Sequence, residues 1–298
     1  MPETKNLLTL RDWLRYAVSR FNQAGLFFGH GSADAYDEAA YLLLHTLHLP
    51  LHRLEPFLDA RLTAEECAAV AAIIGRRVRE RIPAAYLTQE AWLGDFRFYV
   101  DERVIVPRSY FAALLEEGFA PWISDPENVR NALDLCTGSG CLAILMAQAF
   151  PNAHVDAVDI SQAALEVAQR NVADYRLGQR IALIQSDLFA HLKGRSYDLI
   201  VCNPPYVTAE AMRELPAEYR HEPELALAAG EDGMDVVRRL LAEAAKFLKS
   251  GGLLAVEIGH NKAIVEREFP GINFIWVDTP GGEGVFLIRS EQLVRLAA

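Results

Sequence analysis

Cysteine is scarce in this chain, four in 298 residues, and neither a CxxC pair nor a matching histidine spacing accompanies it. A zinc ribbon and a disulfide framework are therefore not indicated. Cys67, Cys136, Cys141 and Cys202 read as small apolar residues kept reduced. His45, His48 and His52 have helix-like spacing, but no carboxylate or cysteine is placed to complete a shell, so no metal is expected. Long apolar runs are also missing: no uncharged apolar stretch reaches the roughly 18 residues of a membrane span. The opening MPETKNLLTLRDWL lacks the charged-then-apolar layout of a signal peptide, so a cytoplasmic protein with no membrane partner is expected. Nor is there an excess of positive charge. Lysine and arginine number 29 against 40 aspartates and glutamates, a net of -11, which disfavours tight sequence-independent binding to naked nucleic acid and suits a basic partner protein.

What is present is apolar content, 51% of residues, enough for a sizeable core and, by length, two domains. Residues 1–82 show helical periodicity, as in Leu7, Leu10, Leu14, Val18 and the run from Ala39 to Leu49. Thr63 and Glu66 form a capping box that opens a helix through the arginine-rich GRRVRER segment. Arg76, Arg77, Arg79 and Arg81 read foremost as a solvated face, with contact to ribosomal RNA as the alternative. Tyr16, Phe21, Phe27 and Phe28 read as core of this helical domain rather than a stacking platform. Residues 83–108 change to short β-rich pieces around Gly94-Asp95 and Asp101-Glu102, a hairpin-like connector closed by Pro107. Residues 109–298 begin with a helix near 109–119 and then alternate apolar strands with amphipathic helices.

Strands are expected at 131–136, 154–160, 180–186, 197–203, 252–259, 272–278 and 284–290, a doubly wound and mostly parallel α/β sheet. Only TPGGE separates the last two, too short for a helical crossover, so they should pair antiparallel. The first strand runs into Asp134-Leu-Cys-Thr-Gly-Ser-Gly-Cys141, where Gly138 and Gly140 let a ligand approach backbone closely. Asp159 ends the second strand, where a carboxylate can accept from both ribose hydroxyls, and Asp187 ends the third, where it can meet an adenine amino group. The third position after Gly140 is Ala143 and the turn opens with an acid, which suits a cationic ligand better than a pyrophosphate.

The fourth strand hands over to Asn203-Pro204-Pro205-Tyr206. Proline lacks an N–H and fixes φ, so what remains is a stiff cluster of acceptors. The Asn203 side-chain oxygen and the Pro204 carbonyl can together receive both hydrogens of one NH2 group, with Tyr206 offering a flat face to it. Glu257 is equally a buried carboxylate supporting this site or a plain strand-end residue.

DLCTGSG, the ribose acid, the seven strands with a terminal antiparallel hairpin, and NPPY together make residues 131–290 resemble the class I S-adenosylmethionine-dependent methyltransferases. That resemblance implies a cofactor site made of Asp134, Thr137, Gly138, Ser139, Gly140, Asp159, Ile160, Asp187, Leu188 and Asn203, with S-adenosylhomocysteine as product. It implies Asn203, Pro204 and Tyr206 as catalytic residues, and these with Pro205 and Arg108 as the substrate contacts. VPRS at 106–109, LPAEYRHEPELAL at 215–227 and GEDGMDVVRRLL at 230–241 extend the likeness to nearly the whole chain. In that extent it resembles the protein-(glutamine-N5) methyltransferases, whose helical N-terminal domain would recruit the substrate. The PRS form, PAEYRHEP and GEGVF at 282–286 are similar to the branch that methylates a glutamine of large-subunit ribosomal protein L-three, free or in assembling subunits. Tyr110-Phe111-Ala112 departs from the SPI-type continuation of that branch. The alternatives are methylation of peptide chain release factors, whose enzymes carry PRPxTE at this point, a non-catalytic ribosome-assembly factor, and a DNA adenine methyltransferase. The last would require a basic recognition domain to hold a duplex for base flipping, and none is present, so no specific DNA is expected.

Overall fold

In the computed structural model, which describes residues 4–279 and 282–293, the first helix starts at a reciprocal cap. The Thr9 side chain accepts from the Asp12 N–H and the Asp12 carboxylate accepts from the Thr9 N–H, opening α1 (Leu10–Gln23). Asp34 caps α2 (Ala35–Thr46), and the expected Thr63–Glu66 box caps α3 (Ala64–Glu80). With α4 (Ala84–Thr88) these form one compact unit, made of residues up to Ala91 and the later segment Leu215–His221. Trp13, Ala17, Phe21, Leu42, Leu43 and Val70 are its most buried apolar side chains. Each large one contributes about 1.5–3 kcal/mol by leaving water. The helical spacing read from sequence is met at Leu10 and Leu14, both buried on α1, whereas buried Leu7 precedes the helix and Val18 is only partly buried.

Two expectations fail in this unit. Arg77 is not solvated but 0% exposed, donating to Glu38 (Nε–Oε1 2.6 Å), to Glu218 (Nη1–Oε1 3.2 Å) and to the carbonyl of Phe27 (2.9 Å). Arg81, half-buried, donates to Glu218 (3.1 Å) and to the carbonyls of Gly25 (2.9 Å) and Ala24 (2.7 Å). Only Arg76 and Arg79 have the exposed character expected of the whole stripe. The partner acids come from α2 and from a segment some 140 residues downstream, which helical periodicity cannot register. Burial pushes the Glu38 carboxyl above its usual range, against the pull of Arg77. Phe27 is likewise 40% exposed rather than core, its ring beside Tyr219 at 5.6 Å between centroids.

The stretch expected to be β-rich from Ala84 instead begins with α4, where Pro83 sets the N-cap and Gln89 ends the turn at φ 55°. The hairpin follows, β1 (Glu90–Leu93) and β2 (Phe96–Tyr99), turning at Gly94 with φ 57°. The second unit comprises Trp92–Glu214 and Glu222 onward. After α5 (Phe111–Glu116) it alternates β3 (Asn131–Leu135), α6 (Cys141–Ala149), β4 (His154–Asp159), α7 (Gln162–Asp174), β5 (Ile181–Gln185) and β6 (Tyr197–Cys202). Then come α8 (Ala209–Glu214), α9 (Asp235–Glu243), β7 (Leu248–Glu257), α10 (Lys262–Glu268), β8 (Ile275–Thr279) and β9 (Gly282–Arg289). No helix among the described residues is long and apolar enough to cross a membrane.

The seven strands lie in the order β5-β4-β3-β6-β7-β9-β8, with β9 antiparallel to both its neighbours and the rest parallel. The expected terminal antiparallel pair is thus present. Alternate side chains feed two cores: Ala132, Leu199 and Val201 point to one face with α6, while Leu133, Leu135 and Ile200 point to the other with α9. The winding reverses between β3 and β6, so the loops leaving these adjacent strands open onto one crevice.

Candidate active site

The loop after β3 is held shut by its own acid. Asp134 is fully buried, and its Oδ2 accepts from the Thr137 hydroxyl (2.5 Å) and the Ala143 N–H (3.0 Å), while Oδ1 has no hydrogen-bond partner among the described residues. Burial pushes its carboxyl up to about 7. Gly138 (φ 54°) donates its N–H to Asp159 Oδ2 at 2.9 Å, and the Ser161 N–H donates to Oδ1 at 2.9 Å. The acid at the end of β4 is thus oriented by two backbone donors with lone pairs still open to the crevice. Burial raises its pKa against those hydrogen bonds.

Gly140 answers a packing demand as well as a conformational one. Its φ is 78°, and a Cβ there would lie 3.1 Å from Ala168 Cβ and 3.3 Å from Ala168 Cα on α7. Gly140→Ala is therefore expected to weaken cofactor binding by at least about tenfold, from left-handed strain of about 1–2 kcal/mol and a forced shift of the turn. Titration calorimetry with S-adenosylmethionine checks it, and an affinity within twofold of the parent would refute the close-packing argument.

The crevice itself is lined by Cys136, Gly138, Asp159, Ile160, Ser186, Asp187, Leu188, Asn203 and Pro205, among others. Asp134, Thr137, Ser139 and Gly140 lie behind this surface and shape the turn, and Pro204, Tyr206 and Arg108 stand outside the lining. Asp187 sits two residues beyond the end of β5, and its Oδ2 accepts from Arg239 Nη2 at 2.8 Å. Cys136 (φ 60°) and Leu188 (φ 45°) are non-glycine residues held in the left-handed region at the rim, strain of the kind that collects where a ligand is clamped.

Several contributors were not apparent from the sequence. Asn171 on α7, 1% exposed, donates to the carbonyls of Ser139 (2.8 Å) and Tyr99 (3.0 Å) and accepts from the Tyr99 N–H (2.8 Å), tying the glycine turn to the hairpin. A polar residue in the middle of an otherwise amphipathic helix was the one available signal. Glu222 receives both arms of the Arg108 guanidinium, at 2.5 and 2.6 Å, and the Val106 N–H at 2.9 Å. Arg108 thus joins the VPRS and HEP segments, which sequence likeness singled out separately. Leu225, 58% exposed, and Ile160, 48% exposed, are apolar walls of the same crevice.

The acceptor loop leaves β6 at Asn203. Among the described residues no hydrogen bond engages the Asn203 side-chain amide or the Pro204 carbonyl. Tyr206 is fixed on several sides: its phenol donates to Glu257 Oε1 (3.4 Å), its carbonyl accepts from Asn261 Nδ2 (3.0 Å), and its ring passes over Gly259. Glu257, at the end of β7 and 1% exposed, also accepts from the Ser109 hydroxyl (2.7 Å) and the Tyr110 N–H (3.2 Å). Burial pushes its carboxyl up to about 7. Of the two sequence readings of Glu257, the buried supporting carboxylate is the one the geometry favours. Burial likewise raises the Tyr206 phenol well above its usual range.

The residues present suit a nucleoside bearing a positive centre. Among the described residues a buried carboxylate oxygen lacks a partner beside a turn whose Gly138 has open space where a Cβ would be, and a strand-end acid lines the crevice. Sheet order, glycine turn and acceptor loop define a class I S-adenosylmethionine-dependent methyltransferase. Residues 119–218 match the methyltransferase small domain and residues 12–88 the PrmC N-terminal domain. The catalytic domain of hMettl16, crystallised with a MAT2A 3'UTR hairpin, shares the fold at a TM-score of 0.50 and 12% identity, over 77% of this chain and 83% of that one. The ribosomal protein uL3 glutamine methyltransferase of Neisseria meningitidis serogroup B is 60% identical over 97% of this chain and 96% of its own length. That of Burkholderia pseudomallei is 59% identical over 97% of each, and that of Bordetella pertussis 58% identical over 97% of each. The chain belongs to the family of ribosomal protein uL3 glutamine methyltransferases.

Proposed function

We propose that this protein methylates the side-chain amide nitrogen of a glutamine in ribosomal protein uL3, in the cytoplasm. One observation carries the reading: among the described residues, no hydrogen bond engages the side chain of Asn203, which lines the cofactor crevice, or the carbonyl of the adjoining Pro204. Two fixed acceptors match the two hydrogens of one primary amide. The relatives' substrate and a net charge of -11, complementary to a basic ribosomal protein, support the choice of acceptor protein.

S-adenosylmethionine supplies an electrophilic methyl group on a sulfonium. Asp159 would hold its ribose and Asp187 its adenine, Ile160 and Leu188 would help to bind it, and the turn from Asp134 through Gly140 would receive its methionine part. Asn203 Oδ1 and the Pro204 carbonyl take the two amide hydrogens and turn the nitrogen lone pair toward the crevice. An amide nitrogen is a poor nucleophile because its lone pair is delocalised. Holding both N–H groups on fixed acceptors favours the pyramidal nitrogen of the transition state and removes the need to reorient it. Transfer would form the N–C bond as the methyl–sulfur bond breaks, leaving neutral S-adenosylhomocysteine, and the cationic methylated nitrogen would lose one proton to water, so no strong base is required. Arg108, locked on Glu222, holds the flank of the loop, and the helical unit recruits the substrate protein.

The test is incubation with labelled S-adenosylmethionine and, in parallel, unmodified uL3, unmodified large subunits, assembling subunits and unmodified release factors, followed by mass spectrometry. A methylated glutamine in uL3 is the expected result, and the arm in which it appears identifies the free or assembling substrate. Label confined to release factors would overturn the substrate, and label on none would overturn the reading as a whole.

A further inference from the structure

Two separate segments converge on Glu257, a buried acid beside the acceptor loop. Its Oε2 receives the Ser109 hydroxyl (2.7 Å) and the Tyr110 N–H (3.2 Å), both from the segment leading into α5. Its Oε1 receives the phenol of Tyr206 at 3.4 Å. The surroundings leave Tyr206 little freedom. A Cβ on Gly259 would lie 2.8 Å from its ring, and one on Gly233 would lie 2.3 Å from its carbonyl oxygen. The same carbonyl is held by Asn261, which is itself 9% exposed. Tyr206 is separated from Pro204 by one rigid proline, so torsion at the tyrosine is passed on to the acceptor carbonyl. Pro205 has no N–H with which to anchor the loop, and the anchoring falls to Tyr206.

We infer that Glu257 is a positioning residue for methyl transfer, which acts through Tyr206 and takes its own orientation from Ser109. The inference rests on the assignment of Asn203 and Pro204 as the amide acceptors. Glu257 does not touch the acceptor amide. It fixes the tyrosine that ends the loop, and a displacement of the Pro204 carbonyl by a fraction of an ångström spoils the fit to the second amide hydrogen. A merely structural carboxylate would affect fold and cofactor binding together, whereas a positioning one affects the turnover of bound substrate.

A double-mutant cycle between Glu257→Gln and Tyr206→Phe separates these roles. Glutamine keeps the shape and can still accept from Ser109 and Tyr110, but it presents an amide to the phenol. Each single variant is expected to lower kcat about tenfold with KM and cofactor affinity within about twofold of the parent, and the double variant to be no slower than the worse single. Ser109→Ala, paired with Tyr206→Phe in a second cycle, provides the same readout if Glu257→Gln does not fold. Multiplicative losses of about a hundredfold in the double variant, or a loss of cofactor affinity equal to the loss of turnover, would overturn the inference. Failure is separable from failure of the proposed reaction: parent protein that methylates uL3 with additive cycles refutes only the role of Glu257, and parent protein that methylates no glutamine refutes the acceptor assignment first.

Discussion

Asn203→Ala is expected to lower single-turnover methyl transfer by about a thousandfold while S-adenosylmethionine affinity, measured by calorimetry, changes less than about fivefold. The asymmetry follows from where the side chain stands. Asn203 lies beyond the last residue of β6, its side-chain amide without a hydrogen bond among the described residues, so little of the fold depends on it. Its work begins when an acceptor amide arrives, and alanine leaves one of the two N–H groups without its fixed acceptor. The Pro204 carbonyl, a backbone group, remains, which is why the nitrogen is still bound though badly aimed. Asn203→Asp is the informative companion: it keeps an acceptor oxygen but introduces a charge, and should fall between the two. Activity of the alanine variant within tenfold of the parent would remove the acceptor pair from the mechanism.

The largest stability effect is expected at Arg77. Arg77→Met should lower the unfolding free energy of the helical unit by about 3–5 kcal/mol, because the change strips a buried carboxylate of its cation rather than removing a balanced pair. Glu38, 1% exposed, loses the only ion-pair partner it has among the described residues. Glu218 keeps Arg81 and the Phe27 N–H, so most of the penalty falls on Glu38. Urea unfolding followed by circular dichroism reads the effect as a drop in midpoint. Adding Glu38→Leu alone should recover most of the loss, since it removes the buried carboxylate left without a cation while Glu218 keeps Arg81. A shift below about 1 kcal/mol for Arg77→Met alone would mean that the cluster is more solvated than its burial indicates.

The strands of the sheet were legible because strands buried on both faces are written as near-continuous apolar runs, as in Leu199–Cys202, and need no partner to be read. The glycine turn and the NPPY loop were legible for a related reason: backbone conformation and missing donors are properties of the residues themselves. What escaped was everything made by two distant segments. Asn171 looks like an ordinary helical polar residue until Ser139 and Tyr99 are brought to it. Glu222 and Arg108 are far apart in sequence and carry no local mark of their pairing. Arg77 sits in a run of arginines whose composition advertises solvent, and only Glu38 and Glu218 reverse that reading. The helix at Ala84–Thr88 was missed because one short turn is decided by the φ values at Pro83 and Gln89 more than by propensity.

The inclusion of Leu215–His221 in the helical unit bears on how such a chain can be cut and recombined. The polypeptide passes from one unit to the other at Ala91, returns at Leu215, and leaves again after His221. A gene fragment encoding only the first 91 residues would therefore translate a helical unit lacking Glu218, with Arg81 deprived of that partner and Arg77 left with Glu38. Recombination that exchanges N-terminal segments between relatives must also carry this seven-residue insert or adapt to its new neighbour. The two parts are expected to diversify together in descent, as interleaved rather than end-to-end modules, with compensating changes linking α3 to a stretch encoded far downstream.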